Sequence, residues 1–96
     1  MNENDYQAAC KELFERIEER LEETDTDYNN NGGVLEIEPE TGGKIIINRQ
    51  APMREVWLAA KSGGRHFAFK NGEWIDTRDG RDFFAHLKEA LEPENS

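Results

Sequence analysis

The residues best suited to chemistry are carboxylates, and they crowd one short stretch. Glu15, Glu18, Glu19, Glu22, Glu23, Asp25 and Asp27 fall within 13 positions that also hold Arg16 and Arg20. Carboxylate oxygens suit hard cations such as calcium, magnesium, manganese and ferrous or ferric iron. A dense anionic patch also steers a basic protein surface toward it. The run has neither EF-hand spacing nor a histidine among its acids, so a metal held there is exposed and weakly selected. A solvated, solubilising face gives the same pattern.

The placement of these acids is costly on a helix. Glu15–Glu19 and Glu19–Glu23 are i,i+4 pairs and Glu19–Glu22 is an i,i+3 pair, each destabilising by about 0.2–0.5 kcal/mol. Glu22, Glu23 and Asp25 crowd a C-terminal end where the helix dipole is already negative, at roughly 0.3–1 kcal/mol each in low salt. Arg16, four residues after Glu12, and Arg20 relieve part of this. The remainder is on the order of 1–2 kcal/mol, large beside a small domain's stability. Such a run suggests a use.

Other candidates are sparser. Trp57 alternates with inward Val56 and Leu58, so its indole projects from the uncovered sheet face, where an exposed Trp often anchors a partner; a ring laid flat over its neighbours is the alternative. Trp74 is a core residue. His66 points outward with Ala68 and Lys70, and His86 lies beside the apolar face of the second helix; a two-histidine metal site is the weaker alternative to two isolated side chains. Cys10 falls on an apolar stripe and reads as a buried free thiol. No Gly-x-Ser-x-Gly nucleophile motif occurs, and Gly42-Gly43 and Gly63-Gly64 read as hairpin turns rather than phosphate loops. Nothing here argues for an enzyme.

The elements that position these residues follow from periodicity. Tyr6, Cys10, Leu13, Phe14, Ile17 and Leu21 recur at helical spacing and form a stripe about 100° wide. Asn4 with Gln7 matches a capping box, and the helix ends near Glu23 to Asp25. Asp27 to Gly33 reads as a polar turn. Strands follow at Val34–Glu38, Lys44–Arg49 (with Ile45-Ile46-Ile47 of ambiguous register), Arg54–Ala60, Arg65–Lys70 and Glu73–Thr77. They are separated by Thr41-Gly42-Gly43, Gln50-Ala51-Pro52, Ser62-Gly63-Gly64 and the hairpin signal Asn71-Gly72. A second helix, capped by Asp82, carries Phe83, Phe84, Leu87, Ala90 and Leu91 on one face and ends at Pro93. The expected fold is α+β. It is a two-layer sandwich with an antiparallel sheet of about five to six strands, and both helices lie on one face. Residues 1–96 form one domain, with 92–96 a loose tail.

Composition sets the outer limits. The 96 residues carry a net charge of -9. The first 40 hold 13 acids against Lys11, Arg16 and Arg20, a net of -10, while the other 56 sum to +1. An acidic chain without a basic cluster is a poor ligand for nucleic acid or anionic membranes. A polar N-terminus, a lone cysteine and the lack of a long apolar run point to a reduced, cytoplasmic protein.

The middle of the chain is the most specific part. Asn31-Gly32-Gly33-Val34-Leu35, Ile45-Ile46-Ile47-Asn48-Arg49-Gln50-Ala51-Pro52 and Val56-Trp57-Leu58-Ala59 closely resemble the frataxin family. Ile17-Glu18-Glu19-Arg20-Leu21, Gly63-Gly64 with His66-Phe67, Glu73-Trp74-Ile75 and Arg78-Asp79-Gly80 extend the resemblance over essentially the whole chain. It implies the sandwich above and a role in iron-sulfur cluster assembly. Iron would be bound weakly and exchangeably on a ridge of Glu18, Glu19, Glu22, Glu23, Asp25 and Asp27, which Glu15 adjoins. The same ridge, through Glu19, Glu22 and Glu23, would dock on a cysteine desulfurase. The open sheet face around Asn48, Gln50 and Trp57 would face the iron-sulfur scaffold protein. A regulator and iron donor, monomeric without iron, is the leading expectation. An iron store or ferroxidase, or a metal-free acidic interaction domain, are the alternatives. Two departures bear on iron number. Tyr28-Asn29-Asn30-Asn31 replaces further aspartates in a loop about four residues shorter than in relatives. Ala68 and Gln7 also stand where an acid and a histidine occur in other members.

Overall fold

The structure, a computed structural model, describes residues 1–40 and 42–92. Helix α1 (Glu3–Glu23) is followed by six strands, β1 (Asp27–Asn31), β2 (Val34–Glu38), β3 (Ile45–Gln50), β4 (Glu55–Ala60), β5 (Gly63–Lys70) and β6 (Glu73–Asp76), and then by α2 (Phe83–Leu91). Each strand pairs antiparallel with the next, so the sheet is a meander in sequence order. Both helices cover one face. The α+β sandwich expected from the pattern is what forms.

One core lies between the layers. The whole α1 stripe from Tyr6 to Leu21 is buried against Leu35, Ile37, Ile45, Ile47, Val56, Leu58, Phe67 and Trp74, and α2 adds Phe83 and Leu87. Period-2 alternation in the strands meets period-3.6 spacing in the helices, so each layer presents one continuous apolar side. The register of the triple isoleucine is settled by this face: Ile45 and Ile47 are buried, and Ile46 turns to the open side. Cys10 is a fully buried free thiol, and burial pushes it further from ionisation.

Several local assignments differ from the pattern. The α1 N-cap is Asn2, whose Oδ1 accepts the Asp5 N–H at 2.8 Å, and Asn4 lies within the first turn. The stretch after α1 is a strand, β1, and only Gly32-Gly33 forms the turn, with Asn31 paired to Val34. An edge strand of Asp-Tyr-Asn-Asn-Asn shows no apolar alternation, so pattern alone could not reveal it. Gly63 and Gly64 belong to β5, because Ala60 pairs with Gly63 and the turn is Lys61-Ser62. Asp82 is the α2 N-cap but makes no side-chain cap bond. Pro93 and the tail 93–96 lie outside the described residues, as does Thr41; Glu92 is the α2 C-cap, its N–H bonded to the Lys88 carbonyl.

The α1–β1 connection shapes the acidic surface. Thr26 N–H bonds the Leu21 carbonyl at 2.8 Å and Asp25 N–H bonds the Glu22 carbonyl at 3.2 Å, the two bonds of a Schellman motif. Asp25 sits at the left-handed position, φ +58°, where glycine is the usual residue. That geometry reverses the chain sharply and lays β1 beside the last turns of α1.

Candidate functional site

The seven predicted metal-site acids run from α1 through the turn after it into the start of β1. Glu15, Glu19, Glu22, Glu23, Asp25 and Asp27 are exposed, and Glu18 is half-buried. β1 turns Tyr28 and Asn30 toward the helix, because they pair with the inward residues Ile37 and Leu35. The Tyr28 hydroxyl donates to Glu22 Oε2 at 2.6 Å, and Asn30 Nδ2 donates to Glu18 Oε2 at 2.9 Å. The bond to Glu22, with some burial and the nearby Glu22 and Glu18 charges, pushes the Tyr28 phenol up to about 12. Each tether occupies one carboxylate oxygen and fixes its side chain, leaving the other oxygen free. Tyr28 and Asn30 carried no signal as site residues in sequence, since their role depends on the hidden strand.

Two of the three basic residues of α1, Arg16 and Arg20, reach toward α2 in a groove they share with Glu19, Glu23 and Phe84. The Arg16 and Arg20 guanidinium carbons stand 4.6 and 5.2 Å from the centroid of the Phe84 ring on α2, strapping the helices together. The expected relief of Glu12 by Arg16 therefore does not form as a close ion pair. Among the described residues no salt bridge includes a predicted metal-site acid. Cation–π contacts at exposed sites are worth about 0.5–1 kcal/mol each, comparable to an i,i+4 ion pair. Phe84 thus competes with the glutamates for the arginines. The ridge keeps its negative potential.

A second surface lies on the open face of the sheet. Asn48 and Trp57 are cross-strand partners on β3 and β4, and Gln50 pairs with Glu55. Trp57 stacks on His66, centroids 4.3 Å apart and rings within 9° of parallel, and donates Nε1–H to Glu55 Oε1 at 2.9 Å. The indole lies flat over its neighbour and remains half-buried, so it is prepositioned as well as accessible. Arg49 faces the other way, with its guanidinium over Phe14 and across Gly33. A Cβ at Gly33 would come within 2.5 Å of Arg49 Nη2, and φ there is +89°. That ties the Asn-Gly-Gly turn to the strand carrying Asn48 and Gln50.

The two histidines do not meet. His66 is on the open face, whereas His86 is buried beneath α2 against Phe67 and faces Asp76 and Asp79. The expectation that His86 merely borders the apolar face is corrected by this burial.

The chain matches the family model described as a frataxin-like domain over residues 1–95. The chain belongs to the frataxin family. It is 50% identical over 93 residues to the iron-sulfur cluster assembly protein CyaY of Neisseria meningitidis serogroup B, covering 95% of this chain and 87% of that protein. The solved frataxin from Psychromonas ingrahamii superposes with a TM-score of 0.87 at 42% identity, covering 95% of this chain and 89% of that one. A trimeric frataxin from the yeast Saccharomyces cerevisiae, complexed with ferrous iron, superposes with a TM-score of 0.72 at 27% identity over 86% of this chain and 85% of that one. The fold and the family expected from the sequence are therefore both shown.

Proposed function

We propose that this frataxin-family chain acts in iron-sulfur cluster assembly as an iron-binding regulator. It docks on a cysteine desulfurase through the α1–β1 ridge and presents Asn48, Gln50 and Trp57 to the scaffold protein. The observation that carries the reading is a row of seven carboxylates from α1 into β1 that form no salt bridge among the described residues, with Arg16 and Arg20 engaged by Phe84. Relatives named for iron-sulfur cluster assembly, and a ferrous complex of yeast frataxin, support it. Exposed monodentate carboxylates bind hard ions weakly and exchange them. With Glu18 and Glu22 each sharing an oxygen with β1, few iron sites are expected. The protein works as a cytoplasmic monomer without iron and modulates desulfurase output rather than catalysing a step of its own.

Amide NMR titration tests this with ferrous iron, then with desulfurase. Overlapping perturbation of residues 15–27 by both, with mutual competition, is the expected result. Reversing charge at Glu19, Glu22 and Glu23 is expected to weaken desulfurase binding, most at low salt. Unchanged affinity would reject the docking surface. Trp57→Ala is expected to keep the fold and weaken scaffold binding.

A further inference from the structure

We propose that Asp76, Asp79 and His86 form a site for one divalent first-row transition ion of the zinc or cobalt class, separate from the acidic ridge. Their donor atoms, one imidazole nitrogen and two carboxylate oxygens, all lie within 4.8 Å of one another. His86 Nε2 is 2.9 Å from Asp79 Oδ2 and 3.2 Å from Asp76 Oδ2. Ligands about 2.0–2.2 Å from an ion in tetrahedral array stand about 3.3–3.6 Å apart, so the imidazole nitrogen and each aspartate oxygen need to part by only a few tenths of an ångström. Imidazole with carboxylates selects borderline ions over calcium or magnesium. The ridge lacks that nitrogen.

The donors are held in place by groups outside the set. Asp76 Oδ1 accepts N–H bonds from Arg78 at 2.7 Å and Asp79 at 3.3 Å, leaving Oδ2 aimed at the imidazole. Asp79 Oδ1 accepts the Arg81 N–H at 2.8 Å, and its Oδ2 turns inward in the same way. His86 is 3% exposed, packed edge-on to Phe67, and its Nε2 faces both of these anions. Such backbone-fixed carboxylates are the outer support that orients metal ligands. Both aspartates are held below the usual carboxylate range. For Asp76, burial pushes upward, but the Arg78 and Asp79 N–H bonds and Arg65 outweigh it; for Asp79 the Arg81 N–H bond leads.

Arg65 is the competitor. Its Nη1 reaches Asp76 Oδ2 at 3.2 Å and Asp79 Oδ2 at 3.5 Å. The two carboxylates and Arg65 together still leave one negative charge for a further cation to balance. The Arg65 side chain is 38% exposed, free to swing outward and give up its place. The Asp79 side chain is 36% exposed, which gives an ion a path in and room for water as a fourth ligand.

The test is titration of the full chain with zinc by calorimetry and with cobalt by visible absorption. It is run on the wild type and on a chain carrying Glu19→Gln, Glu22→Gln and Glu23→Gln. One equivalent is expected to bind in both, with the His86 and Asp79 resonances perturbed. Asp79→Asn, which keeps the Arg81 N–H acceptor, is expected to weaken binding at least about tenfold. Arg65→Gln is expected to tighten it several-fold by removing the competitor, an effect that a purely structural ion-pair network cannot give. Binding that vanishes with the ridge substitutions, or that ignores both Asp79→Asn and Arg65→Gln, would overturn the site and leave the cluster an ion-pair network only.

Discussion

Two groups of carboxylates in this molecule have opposite fates. Along α1 and β1, six exposed acids and half-buried Glu18 make no salt bridge among the described residues, and Arg16 and Arg20 lean on Phe84 instead. Under α2, Asp76 is 3% exposed and has every oxygen committed, to two backbone N–H groups, Arg65 and His86. The buried pair of Asp76 and His86 holds the β6–α2 corner together. The exposed row adds repulsion and leaves its charge available to something outside the chain. The same side chain is structural where burial forces complete pairing and available to a partner where water lets it stay unpaired.

The contrast is sharpened most by deleting Asp76. Asp76→Ala strands His86, Arg65 and two N–H groups, and a loss of about 3–5 kcal/mol is expected, measured by urea denaturation. A loss under about 1 kcal/mol would mean that the corner does not depend on the network. Acid comes next. Because the folded-state pKa values of Asp76 and Asp79 are depressed below their ordinary 3.8, the stability they confer is fully present above that value. It drains away as pH falls below about 4 through the folded values. Thermal midpoints of wild type and Asp79→Asn are expected to converge as pH drops through that range. Parallel curves would show that Asp79 is not linked to folding.

The ridge is expected to respond in the other direction. Glu19→Gln with Glu22→Gln and Glu23→Gln removes like-charge and dipole repulsion, so a gain of about 1 kcal/mol at low salt is expected, shrinking as salt screens it. A loss in denaturation measurements would show that these acids stabilise the fold. Smallest is Asp25→Gly, which suits the left-handed position and is expected to add a few tenths of a kcal/mol, up to about 1. A lower midpoint would mean that the Asp25 side chain supports the turn.

Much of this was legible in the sequence. The α1 stripe buried as read, because a 3.6-residue period sustained from Tyr6 to Leu21 has one way to face a sheet. The strands with inward Val, Leu, Ile and Phe also formed, most with an end shifted by one or two residues, and Asn71-Gly72 made the expected two-residue turn, φ +51° and +82°. β1 was not legible. An edge strand needs only backbone pairing on one side, so its side chains were free to be polar. The corner of Asp76, Asp79, His86 and Arg65 was equally hidden, although Asp76 sharing the inward phase of Trp74 was a signal that a partner had to exist.

By itself, the sequence determined the layers, the acidic edge and the family. Those depend on period, composition and local motifs, which are properties of neighbouring residues. The tertiary structure alone decided which carboxylates are neutralised. Charge pairing is a matter of distance in space: Phe84 comes from the far end of the chain to claim the arginines of α1, and four residues spread from 65 to 86 converge on one point.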